Sequence, residues 1–186
     1  MISSRLFILA LCAAAWAPAQ AEKADRSKPL TIEAEQSGSI DLIKQVVILN
    51  GNVVVSQGTM AIRAERMEVR ERPDGYRAVV ALGSAGKPAD FRQKLDSPGE
   101  TIEGHAERIE YDGRGDVVRL MGNAQLRRLR GGLPADEASG SVITYDSGNE
   151  TFSVQGGSSV PGSDRVRMIL TPKPEPASAP AAEPRR

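Results

Sequence analysis

The sequence predicts an all-β protein: an elongated, twisted antiparallel jelly-roll or solenoid, with two curved sheets facing each other across an apolar interior groove. Three observations predict it. Apolar and polar residues alternate with period two through most of the chain, and the helical period is nearly absent. A hairpin-sized unit recurs four times in degenerate copies. The apolar content comes mainly from Val, Ile, Leu and Ala, which suits a thin sheet-on-sheet stack.

The N-terminal stretch stands apart from this pattern. Arg5 is its only charge before the apolar run Leu6-Phe7-Ile8-Leu9-Ala10-Leu11-Cys12 and Trp16, and Ala19-Gln20-Ala21 reads as a cleavage site. Residues 1–21 are therefore expected to be a secretory signal peptide, too short for a membrane span. A lipoprotein signal at Cys12 is the competing reading, disfavoured because Leu11 is bulkier than that signal tolerates. Removing 1–21 leaves about 165 residues, enough for one domain with a sizeable core. The single Cys leaves with it, so no disulfide is available in an oxidising compartment. Charge becomes 23 basic against 24 acidic residues, interspersed, with no basic stripe for nucleic-acid phosphates. Five aromatics remain: Tyr76, Phe91, Tyr111, Tyr145 and Phe152.

The four copies then follow in order. Each opens on a small residue (Ala34, Ala64, Ala106, Gly140), runs as an alternating strand, turns, and returns to a Gly (Gly51, Gly83, Gly122, Gly156). The small residue and the Gly lie 17, 19, 16 and 16 residues apart. The first copy is the weakest, since Ser37 and Ser39 replace its apolar positions. Its return strand, "VVILNG", continues into "NVVV", with Val47, Leu49, Val53 and Val55 on one face. The second copy reads "AERMEV", a turn at Pro73-Asp74-Gly75, then "AVVALG". The third reads "AERIEY", a turn at Asp112-Gly113, then "DVVRLMG". The fourth reads "GSVITY", a turn at Ser147-Gly148-Asn149, then "TFSVQG". In the last three, apolar positions step by three before alternating: Ala64, Met67, Val69; Ala106, Ile109, Tyr111; Gly140, Ile143, Tyr145. Such an odd step inside a strand marks a bulge or bend, because one extra residue flips the facing side. A final strand, "RVRMILT", places Val166, Met168 and Leu170 on one face. The chain thus divides into the signal peptide at 1–21, one domain at 22–171, and a Pro- and Ala-rich disordered tail at 172–186.

The first strand, near Leu30–Ala34, and the last, Arg165 to Thr171, lack a partner on one side. Such edges suit either head-to-tail addition of another strand or a capped monomer. Catalysis finds no support. His105, the sole histidine, alternates with Gly104 and Ala106 and reads as a surface residue. With one His and no Cys, no zinc or copper site is expected, and no P-loop, Rossmann fingerprint or nucleophile elbow occurs, so neither cofactor nor enzyme activity is expected. Only a pair of carboxylates for glycoside hydrolysis escapes this sieve, as a remote alternative. A binding role fits better: an apolar groove could shield acyl chains, at about 0.8 kcal/mol per buried methylene. Alternation alone equally allows a fully packed core, in which case the protein is a structural adaptor joining envelope complexes through its edges.

"PLTIEAEQ", "VVILNGNVVVSQGTMAIRAERMEV", "GKPADFRQ", "IEGHAERIEYDG" and "DVVRLMGNAQL" together resemble the OstA-like family of periplasmic lipopolysaccharide-transport proteins, over roughly residues 29–171. The resemblance includes G-N-V-x-V-x-Q-G at 51–58 and G-K-P-A-x-F at 86–91. It implies a twisted jelly-roll of about sixteen antiparallel strands. It implies a carrier in the periplasm of a Gram-negative bacterium, holding the lipid A part of lipopolysaccharide in its groove within a bridge from inner to outer membrane. Implied partners are lipopolysaccharide, an LptC-like inner-membrane protein, the N-terminal domain of an LptD-like outer-membrane protein, and further copies of the chain, head to tail. The family's interior positions correspond here to Leu30, Ile32, Leu49, Phe91, Ile109, Tyr111 and Leu120. Two departures stand out. Gly113 replaces a side chain that the family can carry as apolar, and "RLRGGLPADEAS" at 128–139 reads as an insert lengthening the loop after Leu126.

Overall fold

A computed structural model describes residues 25, 27–156 and 165–172 of the chain. The signal peptide expected at 1–21 and residues 173–186 of the expected tail lie outside the described residues. Twelve strands are described: β1 (Leu30–Glu33), β2 (Ser39–Asp41), β3 (Val46–Gln57), β4 (Met60–Glu71), β5 (Arg77–Leu82), β6 (Ala89–Lys94), β7 (Glu100–Ala106), β8 (Arg108–Asp112), β9 (Val117–Arg130), β10 (Leu133–Asp146), β11 (Thr151–Gln155) and β12 (Arg167–Leu170). Every pairing between them is antiparallel.

The expected pair of facing sheets is built by four long strands. β3, β4, β9 and β10 run 12 to 14 residues each and bend midway, contributing one half to each sheet. The first sheet is ordered β2-β3-β4-β5-β8-β9-β10-β11. The second is ordered β1-β3-β4-β6-β7-β9-β10-β12. Counting the bent strands once in each sheet yields the sixteen segments that the resemblance implied. At about 4.8 Å between strands, eight segments extend each sheet roughly 34 Å, against about 17 Å for a five-residue segment. The roll is therefore elongated across its strands.

The repeated phrase has a physical meaning at the bend. In β3 and β9 the chain turns on the same dipeptide, Gly51-Asn52 and Gly122-Asn123, all four residues left-handed at φ of 74°, 43°, 77° and 48°. Gly adopts this region freely and Asn tolerates it, whereas a β-branched residue does not. The Glu after the small residue of the phrase closes the unit. Asn52 Nδ2 donates to Glu35 Oε2 and Asn123 Nδ2 to Glu107 Oε1, each at 2.6 Å. The Glu35 and Glu107 amides in turn donate to the Gly51 and Gly122 carbonyls, each at 3.0 Å. The register shifts at Asn50/Val53 and Gly140/Val142 are bulges, with the extra residue in β3 and β9, on the Gly-Asn pair opposite the phrase and not inside it.

Two expectations are corrected. Residues 128–139 form no loop: β9 and β10 continue as one hairpin, Arg130 pairing with Leu133 across Gly131-Gly132 at φ of 59° and 83°. This is the mirror-image turn that matches strand twist. Ion pairs hold it, Arg128 with Asp136 and Glu100, and Arg130 with Glu100. Gly113 lies in the turn after β8, where an added Cβ would sit 2.8 Å from the Arg77 carbonyl oxygen, so it is no gap in a lining. At the end of the roll β12 pairs with β10 alone, and Val166, Met168, Ile169 and Leu170 are all exposed.

Candidate functional site

The apolar interior is a set of rows, each made by side chains in register across a sheet. On the first sheet, one row runs Leu49, Met67, Ala81, Ile109, Leu120, Ile143, Val154. The next runs Val47, Val69, Val79, Tyr111, Val118, Tyr145, Phe152. On the second sheet, the middle row runs Ile32, Val55, Ile62, Phe91, Gly104, Leu126, Ala138, Met168. Period-two alternation produces these rows, since residues two apart share a face and cross-strand partners stand opposite. The rows of the two sheets meet, with the Phe91 and Tyr145 rings 6.0 Å apart at 50°.

The interior is a wedge. At the bend, where the backbone joins the sheets, the inward positions are small: Val53, Ala64, Ala89, Ala106, Ala124. Larger side chains fill the middle. At the opposite edge, where only turns face each other, polar groups enter: Gln93, Asp116 and Ser147 are 1%, 3% and 1% exposed.

All seven sequence-derived lining residues face this interior. Phe91, Ile109, Tyr111 and Leu120 are buried, at 1%, 0%, 3% and 0% exposed, and sit in mid-row. Leu30, Ile32 and Leu49 are half-buried against the same core at the N-terminal end of the rows. That end opens into a cleft of about 380 Å³ lined by Leu30, Ile32, Ile40, Val47 and Val69, with Leu42 and Ile43 exposed beside it. At the other end Phe152 and Val154 are half-buried and Met168 exposed. Among the described residues, the apolar rows thus reach both ends of the roll, with Asp41, Gln45, Glu71 and Arg77 at the rim of the N-terminal cleft.

The outer faces carry paired charges. Arg108 donates to Glu110 at 2.6 Å, and His105 lies between Asp90 Oδ1 (2.5 Å from Nδ1) and Arg127 Nη2 (3.3 Å from Nε2). His105 is on the outer face as alternation predicts, though half-buried in this cluster. At the turn after β2, the amide of Lys44, with that of Ile43, holds the Asp41 carboxyl below the usual carboxylate range and fixes the approach to β3. Sequence reasoning missed the polar edge. The signal was present at Gln93, which follows Ala89 and Phe91 in strict inward phase.

A two-sheet antiparallel roll with an apolar interior, whose end strands β1, β2, β11 and β12 each pair on one side among the described residues, belongs to the class of folds that enclose a ligand or extend through their edges. The family model described as "LptA/(LptD N-terminal domain) LPS transport protein" matches residues 31–151. The lipopolysaccharide export system protein LptA of Escherichia coli K12 is 34% identical over 174 residues, 92% of this chain and 86% of that protein. The protein of the same name from Haemophilus influenzae is 30% identical over 172 residues, 92% of this chain and 94% of that one. The crystal structure of Pseudomonas aeruginosa LptH, titled the LptA-homologous periplasmic component of the conserved lipopolysaccharide transport device, superposes with a TM-score of 0.69 at 24% identity. It covers 80% of this chain and 99% of its own. The chain belongs to the LptA family of lipopolysaccharide transport proteins.

Proposed function

We propose that the chain is a periplasmic lipopolysaccharide carrier, holding lipid A acyl chains between its sheets as one segment of a bridge between inner and outer membrane. One observation carries this reading: among the described residues, inward apolar rows run the length of the roll and end on half-buried or exposed apolar side chains on both sides. An acyl chain laid along them exchanges water for side chains at each methylene, about 0.8 kcal/mol apiece. Partners of similar fold, an LptC-like protein at one end and the N-terminal domain of an LptD-like protein at the other, would extend the same rows. Relatives named for lipopolysaccharide export support the cargo. Family membership supports a transport role over an enzymatic one.

The adaptor reading draws on a different observation, the tight packing of Phe91, Ile109 and Leu120. Alternation separates the two. A photo-crosslinking residue at Tyr111 points inward, and one at Glu110 points outward. Irradiation of cells is expected to give lipopolysaccharide adducts at 111 and none at 110. A folded, assembled protein without an adduct at 111 refutes the carrier and leaves the adaptor.

A further inference from the structure

A cleft of about 920 Å³, larger than the one at the N-terminal end, lies outside the interior, on the outer face of the second sheet at the bend edge. Its floor is a cross-strand row. Asp90 of β6, His105 of β7 and Gln125 of β9 stand side by side, next to the inward Phe91, Gly104 and Leu126. Its wall is the link between β5 and β6. The Ser84 amide donates to the Lys87 carbonyl at 2.8 Å and the Lys87 amide to the Ser84 carbonyl at 3.0 Å, raising Ala85 and Gly86 as a tight turn. The Gly83 amide ties this turn to the Glu107 carbonyl at 2.9 Å, and a Cβ on Gly83 would lie 2.7 Å from the Lys87 carbonyl oxygen, so the wall is held in place. At the bend, Asn123 Nδ2 donates to Glu107 Oε1, which leaves Glu107 Oε2 and Asn123 Oδ1 as acceptors.

We propose that this cleft binds an uncharged saccharide belonging to a molecule other than the carried lipid, and so tethers the roll to a glycan. The lining decides the chemical class by elimination. An acyl chain needs mainly apolar walls, and the larger side chains here are carboxylate, imidazole, amide and ammonium. A phosphate needs converging cations, whereas Lys87 stands against two carboxylates, Asp90 and Glu107, and is already bonded to Asn52. An added peptide strand needs a free edge, and β6, β7 and β9 are each paired on both sides. What fits is a ligand dense in groups that both donate and accept. Sugar hydroxyls would donate to Asp90, Glu107 Oε2 and Asn123 Oδ1, and accept from the Gln125 amide, which bonds to no other described residue. The lining holds no aromatic ring to stack a sugar face, so binding is expected in the millimolar range. The source follows from the edge itself. Hydrogen-bonded backbone closes it, Gly83 to Glu107 at 2.9 Å and Glu107 to Gly122 at 3.0 Å, so a lipid lying between the sheets cannot pass its own sugars through. That last step rests on the carrier reading; the chemical class of the ligand does not.

His105 supplies the readout. It is the sole histidine, so in the untagged full chain its imidazole proton resonances identify themselves. Cellotetraose and chitotetraose, both uncharged, are titrated through the millimolar range at fixed pH, and at least one is expected to shift these resonances saturably. Gln125→Leu, at an exposed position, is expected to raise the half-saturating concentration about fivefold, the worth of one neutral hydrogen bond, with the circular dichroism spectrum unchanged. No shift with either sugar overturns the proposal. So does an equal shift from inorganic phosphate, which would make the cleft an anion site. A shift that Gln125→Leu leaves intact moves the binding off this floor and refutes the cleft. Oligosaccharide released from lipopolysaccharide is the last probe: if it alone binds, the sugar is the cargo's own and the tether is overturned. Lipopolysaccharide adducts at position 111 are expected to persist in Gln125→Leu. Their absence from the unsubstituted chain would refute the carrier and the argument for a second molecule, while the titration still decides whether the cleft takes a saccharide.

Discussion

At the scale of single residues, the repeated phrase acts as a bend marker more than a lining. Its inward residue is Met67 in one copy and Ile109 and Ile143 in the others, and all three fill one row. The Glu-to-Asn bridge is what two of the copies share, with Asn52 and Asn123 left-handed and bonded to Glu35 and Glu107. Asn123→Ala removes that bond and places a Cβ-bearing residue without a local polar partner in the left-handed region. The expected loss is about 1–2 kcal/mol, read as a lower denaturant midpoint at constant slope. Asn123→Gly keeps the backbone freedom and should recover part of it. Equal losses in both variants would show that the hydrogen bond alone matters and that backbone conformation does not.

At the scale of strands, the shape of the wedge depends on where space is withheld. Gly104 stands between Phe91 and Leu126 in the middle row of the second sheet, and a Cβ there would lie 2.4 Å from Leu120 Cδ2 and 3.3 Å from Leu126 Cδ1. Gly104→Val is therefore expected to overpack the core and cost about 1–3 kcal/mol. Adding Leu120→Ala vacates the same volume, so the double variant should be more stable than the sum of the single losses. Strict additivity would mean that the two side chains do not compete. This row was legible in the sequence because alternation and the step of three fix which residues share a face. The hairpin at 128–139 was not, because ion pairs between strands support it and only small residues, Ala135 and Ala138, mark its buried face. The polar edge was illegible for a related reason. An inward Gln reads as solvated until Ser147, 54 residues away, is seen beside it.

At the scale of the whole molecule, each end presents two strand edges, one per sheet: β1 and β2 at one end, β12 and β11 at the other. Stacking one copy's β11 and β12 edges against the next copy's β2 and β1 continues both sheets. It also continues the rows, because Met168 ends the row that Ile32 begins and Val154 ends the row that Leu49 begins. Such a contact is heterologous and does not close on itself, so assembly should grow with concentration rather than stop at a dimer. The exposed apolar residues are where this contact needs them: Ile40, Leu42 and Ile43 near one end, and Met168, Ile169 and Leu170 at the other. Replacing Met168 and Leu170 by Asp sets charges in the seam between copies while leaving the buried core untouched. The parent is expected to form higher species as its concentration rises, and the doubly substituted protein to sediment as a monomer at the same concentrations. Its lipopolysaccharide adducts at the inward Tyr111 position should persist. Loss of both assembly and adducts would mean that the interior is completed only by a neighbouring copy. Assembly undiminished by two charges would place the contact on another surface and detach the rows of one copy from those of the next.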